Sequence, residues 1–267
     1  MTVTQLTIAN EALFLCGANR VKTIGELAAP VTESARVIGG LWDTILEAML
    51  KDHNWNFATK RAWLSVAGKA ITGISAAEPP VVDSVAHGFS DADWILIEDV
   101  VGMTEVNLIK FVVTNKADDT LELYDGEGNK IDGSAYTAYV SGGTIKLAPA
   151  FGFTYMHPLP SDCLHVQGEF NNFDFAVENG YLLSDLEFPK IYYTKQITDY
   201  ADLSAVFRRA LTLALARDAC IPLKGSVSLQ ERLEKRAEGA WRSAKARDAK
   251  EGTPPAQAEG SWITDRE

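Results

Sequence analysis

The spacing of hydrophobic positions changes twice along the chain, giving a helical, then a strand-rich, then a helical stretch. From Thr4 to Gly17, Leu6, Ala9, Leu13 and Cys16 recur at steps of three and four, the stripe of one helix face. Gly17 is placed to stop that helix. A second helix is predicted from Glu33 to Asp52, with Ile38, Leu41, Ile45 and Met49 as its stripe and Thr32 or Ser34 as its cap. Gly39 and Gly40 interrupt it, each costing on the order of 1 kcal/mol relative to alanine. They imply a kink or the close approach of another backbone. The helical period ends at Asn54, where Trp55, Phe57 and the basic pair Lys60-Arg61 lead into a predicted strand.

From about Ala70 to Pro149, Val, Ile, Thr and Tyr runs alternate with turn signals such as His87-Gly88, Asp118-Asp119 and Ser141-Gly142-Gly143. This spacing predicts a small antiparallel sandwich or barrel. Strand signals persist at Leu164–Val166, Phe173–Val177, Tyr181–Leu183 and Lys190–Tyr193, with Asn179-Gly180 as a hairpin turn. Helices return after Asp199 or Asp202, either of which can cap a helix carrying Leu203, Val206, Ala210 and Leu213 and ending near Ile221-Pro222. Ser228-x-x-Glu231 reads as the capping box of a last helix with a narrow stripe of Leu229, Leu233, Ala237, Ala240 and Ala244. The expected fold is α+β: a helical-bundle core of N- and C-terminal helices with β-strands, and an inserted antiparallel β domain. Residues 1–68 and 150–251 would form the core, 69–149 the insert, and 252–267 an extended tail ending near Trp262-Ile263.

Charge and chemistry narrow the function. The net charge of −11 disfavours adhesion to nucleic acid, which needs clustered Lys and Arg, but suits the wall of a channel through which DNA slides without sticking. Cys16, Cys163 and Cys220 lie far apart in apolar stretches and read as free thiols. No stretch approaches the roughly 20 apolar residues of a membrane span, and no secretory signal is evident, so synthesis in the cytoplasm is expected. The four histidines lack paired ligand spacing, and Asp91, Asp93 and Asp99 read as acidic turns in place of a calcium loop. His87, before Gly88, reads as a local hydrogen-bonding residue. No GxSxG, GxGxxG or P-loop occurs. No catalytic, metal-binding or cofactor-binding residue is assigned, and the expectation is that the chain is not an enzyme.

Two resemblances add to this reading. Leu6–Leu13, Glu33–Arg36, Leu41–Asp43 and above all His53-Asn54-Trp55-Asn56-Phe57-Ala58 with Lys60-Arg61-Ala62 resemble the tail tubular protein A family of short-tailed phages and related head-to-tail adaptors. Asn54 stands where proline is common in that family. Leu159–Leu164, Glu178–Leu182, Ile191–Tyr193 and Ala244–Glu251 continue the likeness in order. Pro80–Val82, His87–Asp93, Gly102–Asn107 and Ser141–Thr144 are similar to the first catalytic cysteine half-domain of ubiquitin-activating enzymes, with Ala92 in place of a usual Gly and Val106 of a usual Leu. No catalytic cysteine lies in that segment, so ubiquitin chemistry is not implied.

The first resemblance implies a virion structural protein at the head-tail junction. Copies would form a homo-oligomeric ring, expected as a dodecamer, joining the portal protein to the next tail protein (nozzle or tail tubular B type) and extending the DNA channel without specific DNA binding. Pro254, Pro255, Trp262 and Ile263 would dock on the portal, and Trp55, Phe57, Lys60 and Arg61 are candidate subunit or partner contacts, although Trp55 and Phe57 also suit a core role at the turn. The runner-up is a virion-associated peptidoglycan hydrolase or glycan-binding tail module.

Overall fold

The computed structural model describes residues 3–66, 68–170 and 173–251. The tail contacts expected at Pro254, Pro255, Trp262 and Ile263 lie outside the described residues. The chain forms two compact units. Among the described residues, the first takes the chain through Lys60, Asp162–Gln167 and 193–251; the second takes Arg61–Ser161 and Gly168–Tyr192.

In the first unit, α1 (Gln5–Cys16) is capped by the Thr4 hydroxyl, which accepts from the Thr7 amide, and is stopped by Gly17 in the left-handed conformation. The short α2 (Gly25–Ala28) precedes α3 (Glu33–Lys51), whose cap is Thr32. Gly39 is where α2 and α3 touch: a Cβ there would lie 2.7 Å from the Leu27 carbonyl oxygen. Gly40 faces open space. Two later helices, α4 (Ala205–Lys224) and α5 (Val227–Asp248), belong to the same unit. Their caps are Ser204 and Ser226, not the expected Asp199 or Asp202 and Ser228. Asp199 and Asp202 are instead taken up in the preceding loop, where Asp199 Oδ1 accepts from the Ala201 amide and Asp202 pairs with Lys195. α4 packs against α1, α3 and α5 and is buried over the whole run Leu211–Ala216. A helix enclosed in this way needs no single apolar stripe.

Besides two single-turn 3-10 helices, Asn56–Ala58 and Thr104–Val106, the other elements among the described residues are strands. In chain order they are β1 (Thr59–Trp63), β2 (Lys69–Ala70), β3 (Gly73–Ile74), β4 (Val81–Asp83), β5 (Trp94–Val101), β6 (Ile109–Thr114), β7 (Thr120–Tyr124), β8 (Ser141–Leu147), β9 (Tyr155–Pro158), β10 (Cys163–Glu169), β11 (Phe175–Glu178), β12 (Tyr181–Ser184) and β13 (Lys190–Lys195). Seven of them form an antiparallel half-barrel sheet in the order β2-β8-β5-β6-β7-β4-β3. Its core is Ile95, Ile97, Phe111, Val113, Leu121 and Leu123, alternate positions on three adjacent strands. Two smaller sheets run β11-β12-β9 and β1-β13-β10.

The expected helical-bundle core is therefore corrected. The described residues are β-rich, with a half-barrel sheet and a few helices. Helical periodicity located α1, α3, α4 and α5 but overstated their share. Their core is closed by Ala58, Leu164 and Ile197 from non-helical segments as well as by one another.

Candidate functional site

The feature with the clearest capacity for recognition is an exposed cation–aromatic face in the second unit. Side chains alternate along a strand, so Arg61 and Trp63 share one side of β1, and Lys190 and Tyr192 share one side of β13. Buried Ile191 lies on the other side. The Trp63 indole N–H donates to the Phe188 carbonyl at 3.0 Å, fixing the ring while leaving it 69% exposed. The Lys190 ammonium sits 4.6 Å from the Trp63 ring centre and 5.9 Å from that of Phe170. The Arg61 guanidinium lies 5.1 Å from the Tyr192 ring, and Phe170 and Tyr192 are 6.3 Å apart. The Phe170 amide donates to the Lys190 carbonyl at 3.0 Å, which ties the loop to the strand. Together they border a shallow groove of about 290 Å³.

Among the described residues neither cation has a carboxylate within ion-pair distance. Each exposed cation–π contact is worth only about 0.5–1 kcal/mol, so both cations remain available to an incoming carboxylate. Trp, Tyr and Arg are also the side chains that most often dominate protein interfaces.

Of the residues singled out as contacts from the sequence, Arg61 stands on this face. Lys60, one position earlier, is held in the first unit at 2.9 Å by Asp162, which also accepts from the Tyr193 hydroxyl at 2.9 Å. The Lys60 hydrogen bond draws the Asp162 carboxyl below its ordinary range. Trp55 is fully buried, its N–H donating to the Met49 carbonyl at 2.9 Å, and it packs edge-on to Phe207 and against half-buried Phe57. Both aromatics fix the turn leaving α3. Asp248, at the end of α5, grips the same turn: its carboxylate accepts from the Asn56 amide at 3.0 Å and meets His53 Nε2 at 3.2 Å.

Trp63, Phe170, Lys190 and Tyr192 were not read as site residues. Sequence periodicity offers no signal for a face assembled from segments more than a hundred residues apart. The exposed Trp63 after a basic pair was the one local hint.

The second unit also holds a polar network around the buried pair Lys146 and Glu98. Lys146 Nζ lies 2.6 Å from Glu98 and 2.8 Å from Glu187, and the Tyr155 hydroxyl donates to Glu98 at 2.8 Å. Burial pulls the Lys146 ammonium down, but its bonds to Glu187 and Glu98 outweigh this and hold it above the usual lysine range. Burial, then Glu98, pushes Tyr155 up to about 12. Lys146 therefore stays charged and Tyr155 protonated near neutrality, which suits a structural role better than proton transfer. His87 works locally: Nε2 meets the Ala117 carbonyl at 2.9 Å and Nδ1 accepts from the Phe89 amide at 3.0 Å. Asp91 and Asp93 accept from the Lys116 and Ser90 amides, so both are engaged in turns. Among the described residues no group of three or more His, Cys, Asp or Glu could hold a metal ion, and no helix is long and apolar enough to cross a membrane.

Residues 80–148 match the ubiquitin-activating enzyme E1 FCCH domain family. These residues make up β4 to β8 and lie in the half-barrel unit. No curated protein matches the chain. The resemblance of the outer segments to the tail tubular protein A family is thus overturned: the family match falls on the β segment alone, and the virion and tail-adaptor identity drawn from that resemblance has no support in it. Short motifs such as Trp55-Asn56-Phe57-Ala58 reflect the packing needs of a helix-to-strand turn, which unrelated chains can meet in the same way.

Proposed function

We propose that this chain is a structural adaptor that works by assembly and not by turnover: copies associate into a ring that joins a portal to the tail component beyond it and extends a channel for DNA. The proposal does not rest on family membership. The observation that carries it is the cation–aromatic face of Arg61, Trp63, Phe170, Lys190 and Tyr192, with two cations free of carboxylate partners among the described residues. An overall charge of −11 supplies the complementary acidic groups on neighbouring copies. The same acidity favours a channel wall that DNA does not stick to.

The test is native mass spectrometry of the full chain with a portal ring, for the wild type and for Arg61→Glu combined with Lys190→Glu. The wild type is expected to assemble in multiple copies on the portal, and the variant to lose at least about tenfold in assembly affinity, the size of losing a desolvated charge contact. A wild type that stays monomeric with the portal present, or a variant that assembles equally well, overturns the reading.

A further inference from the structure

Two surfaces of the first unit each supply what the other lacks. α1 buries Ile8, Ala9, Ala12, Leu13 and Cys16, which leaves Phe14 on its outer face, 66% exposed. The Arg20 guanidinium lies 5.8 Å from the Phe14 ring centre, and Arg209 of α4 lines the same groove of about 500 Å³. Glu11 is the acidic side chain in that lining. Among the described residues neither arginine has a carboxylate within ion-pair distance. This surface is an aromatic knob with a net positive rim. The other lies beside α3. Buried Leu46, Leu50 and Ile197 form the floor of a hollow of about 240 Å³, and exposed Asp43 and Glu47, one helical turn apart, form its rim. Tyr200, held edge-on to buried Trp42 at 5.3 Å, is one wall. Asp43 has no cation within ion-pair distance among the described residues, and Glu47 is held only by an exposed pair with Lys51, a contact worth little in water.

We infer that these two surfaces meet between copies of the chain: Phe14 of one copy enters the hollow of the next, with Arg20 and Arg209 set against Asp43 and Glu47. Charge complementarity selects a second copy as the occupant. At a net charge of −11, copies repel one another overall, so a contact between them needs a local reversal of sign, which the two unpaired arginines provide. The phenylalanine adds at least about 150 Å² of apolar surface to be taken out of water. Aromatic and arginine side chains together are the composition that sets interface cores apart from the rest of a protein surface. The knob and the hollow share no lining residue, so one copy can use both at once. A contact between two different surfaces is heterologous, and it propagates into a ring or an open filament instead of closing as a pair. It needs no portal and does not use the Arg61 face, so it stands or falls apart from the adaptor reading.

Sedimentation velocity of the full chain across a dilution series, without a portal, tests it. The samples are wild type, a knob variant (Arg20→Glu with Arg209→Glu), a hollow variant (Asp43→Lys with Glu47→Lys), and an equimolar mixture of the two variants. All four positions are exposed, so the substitutions leave the core untouched. The wild type is expected to form oligomers as concentration rises. Each variant alone brings like charges together and is expected to associate at least about tenfold more weakly. The mixture is expected to recover wild-type association, because each reversed surface then finds its opposite, a recovery that misfolded variants could not give. A wild type that stays monomeric at every concentration overturns the inference, since the knob and the hollow would then belong to other partners. So do variants that associate as well as the wild type, or a mixture that shows no recovery. Arg61→Glu with Lys190→Glu, run beside them, is expected to associate like the wild type; a loss confined to that variant would move the contact to the second unit and overturn the inference as well.

Discussion

Ala92 is a residue whose identity works against its backbone. Its φ is +74°, in the left-handed region that favours glycine, and its amide donates to the Val113 carbonyl at 2.9 Å, so the conformation is held by the sheet. A left-handed L-residue costs roughly 1–2 kcal/mol. Ala92→Gly is therefore expected to stabilise the protein by about 1 kcal/mol in thermal or urea unfolding, after the entropy cost of glycine is subtracted. A fall in stability would contradict this account of the turn. The two glycines of α3 form an internal control. Gly40→Ala adds helix propensity in open space and should stabilise by about 1 kcal/mol. Gly39→Ala drives a methyl into the Leu27 carbonyl and should destabilise despite the same gain in propensity. Equal effects at the two sites would mean that α2 does not press on α3. Glycine in the middle of α3 was legible as a cost; which of the pair is needed follows from how α2 packs on α3.

At the scale of elements, Asp248 links α5 to the turn after α3. Removing its buried carboxylate takes away the charged acceptor of the Asn56 amide, a loss of about 1–3 kcal/mol. Asp248→Ala should lower the unfolding free energy by that amount, whereas Asp248→Asn, which keeps an acceptor oxygen, should lose less. His157 on β9 makes stability depend on pH. Burial holds its imidazole below the ordinary value of 6.5, with the Leu186 carbonyl bond opposing. The folded state therefore binds fewer protons than the unfolded chain, so its contribution is full above about pH 6.5 and is lost as pH falls below it. His157→Gln should flatten the stability–pH curve between about pH 7 and pH 5; an unchanged slope would assign the dependence to other groups. α1, α3 and the turn signals of the half-barrel were readable because their caps and periods are local. The starts of α4 and α5 were misread because Ser204 and Ser226 cap them while nearby Asp199, Asp202 and Ser228 offered equally good local signals. The β-rich balance of the fold was hidden because strands such as β1 and β13 pair across more than a hundred residues.

For the whole molecule, the central claim is that the chain acts by association through the face around Arg61, Trp63 and Lys190. No catalytic group enters the claim, and the Lys146–Glu98–Tyr155 network is accounted for by the structure of its own unit. The most direct measurement is electron cryo-microscopy of the full chain mixed with a portal ring. The account predicts a closed ring of copies coaxial with the portal, with Trp63 and Lys190 buried against a neighbouring subunit. Unassociated monomers, or a ring that leaves this face open to solvent, would contradict it.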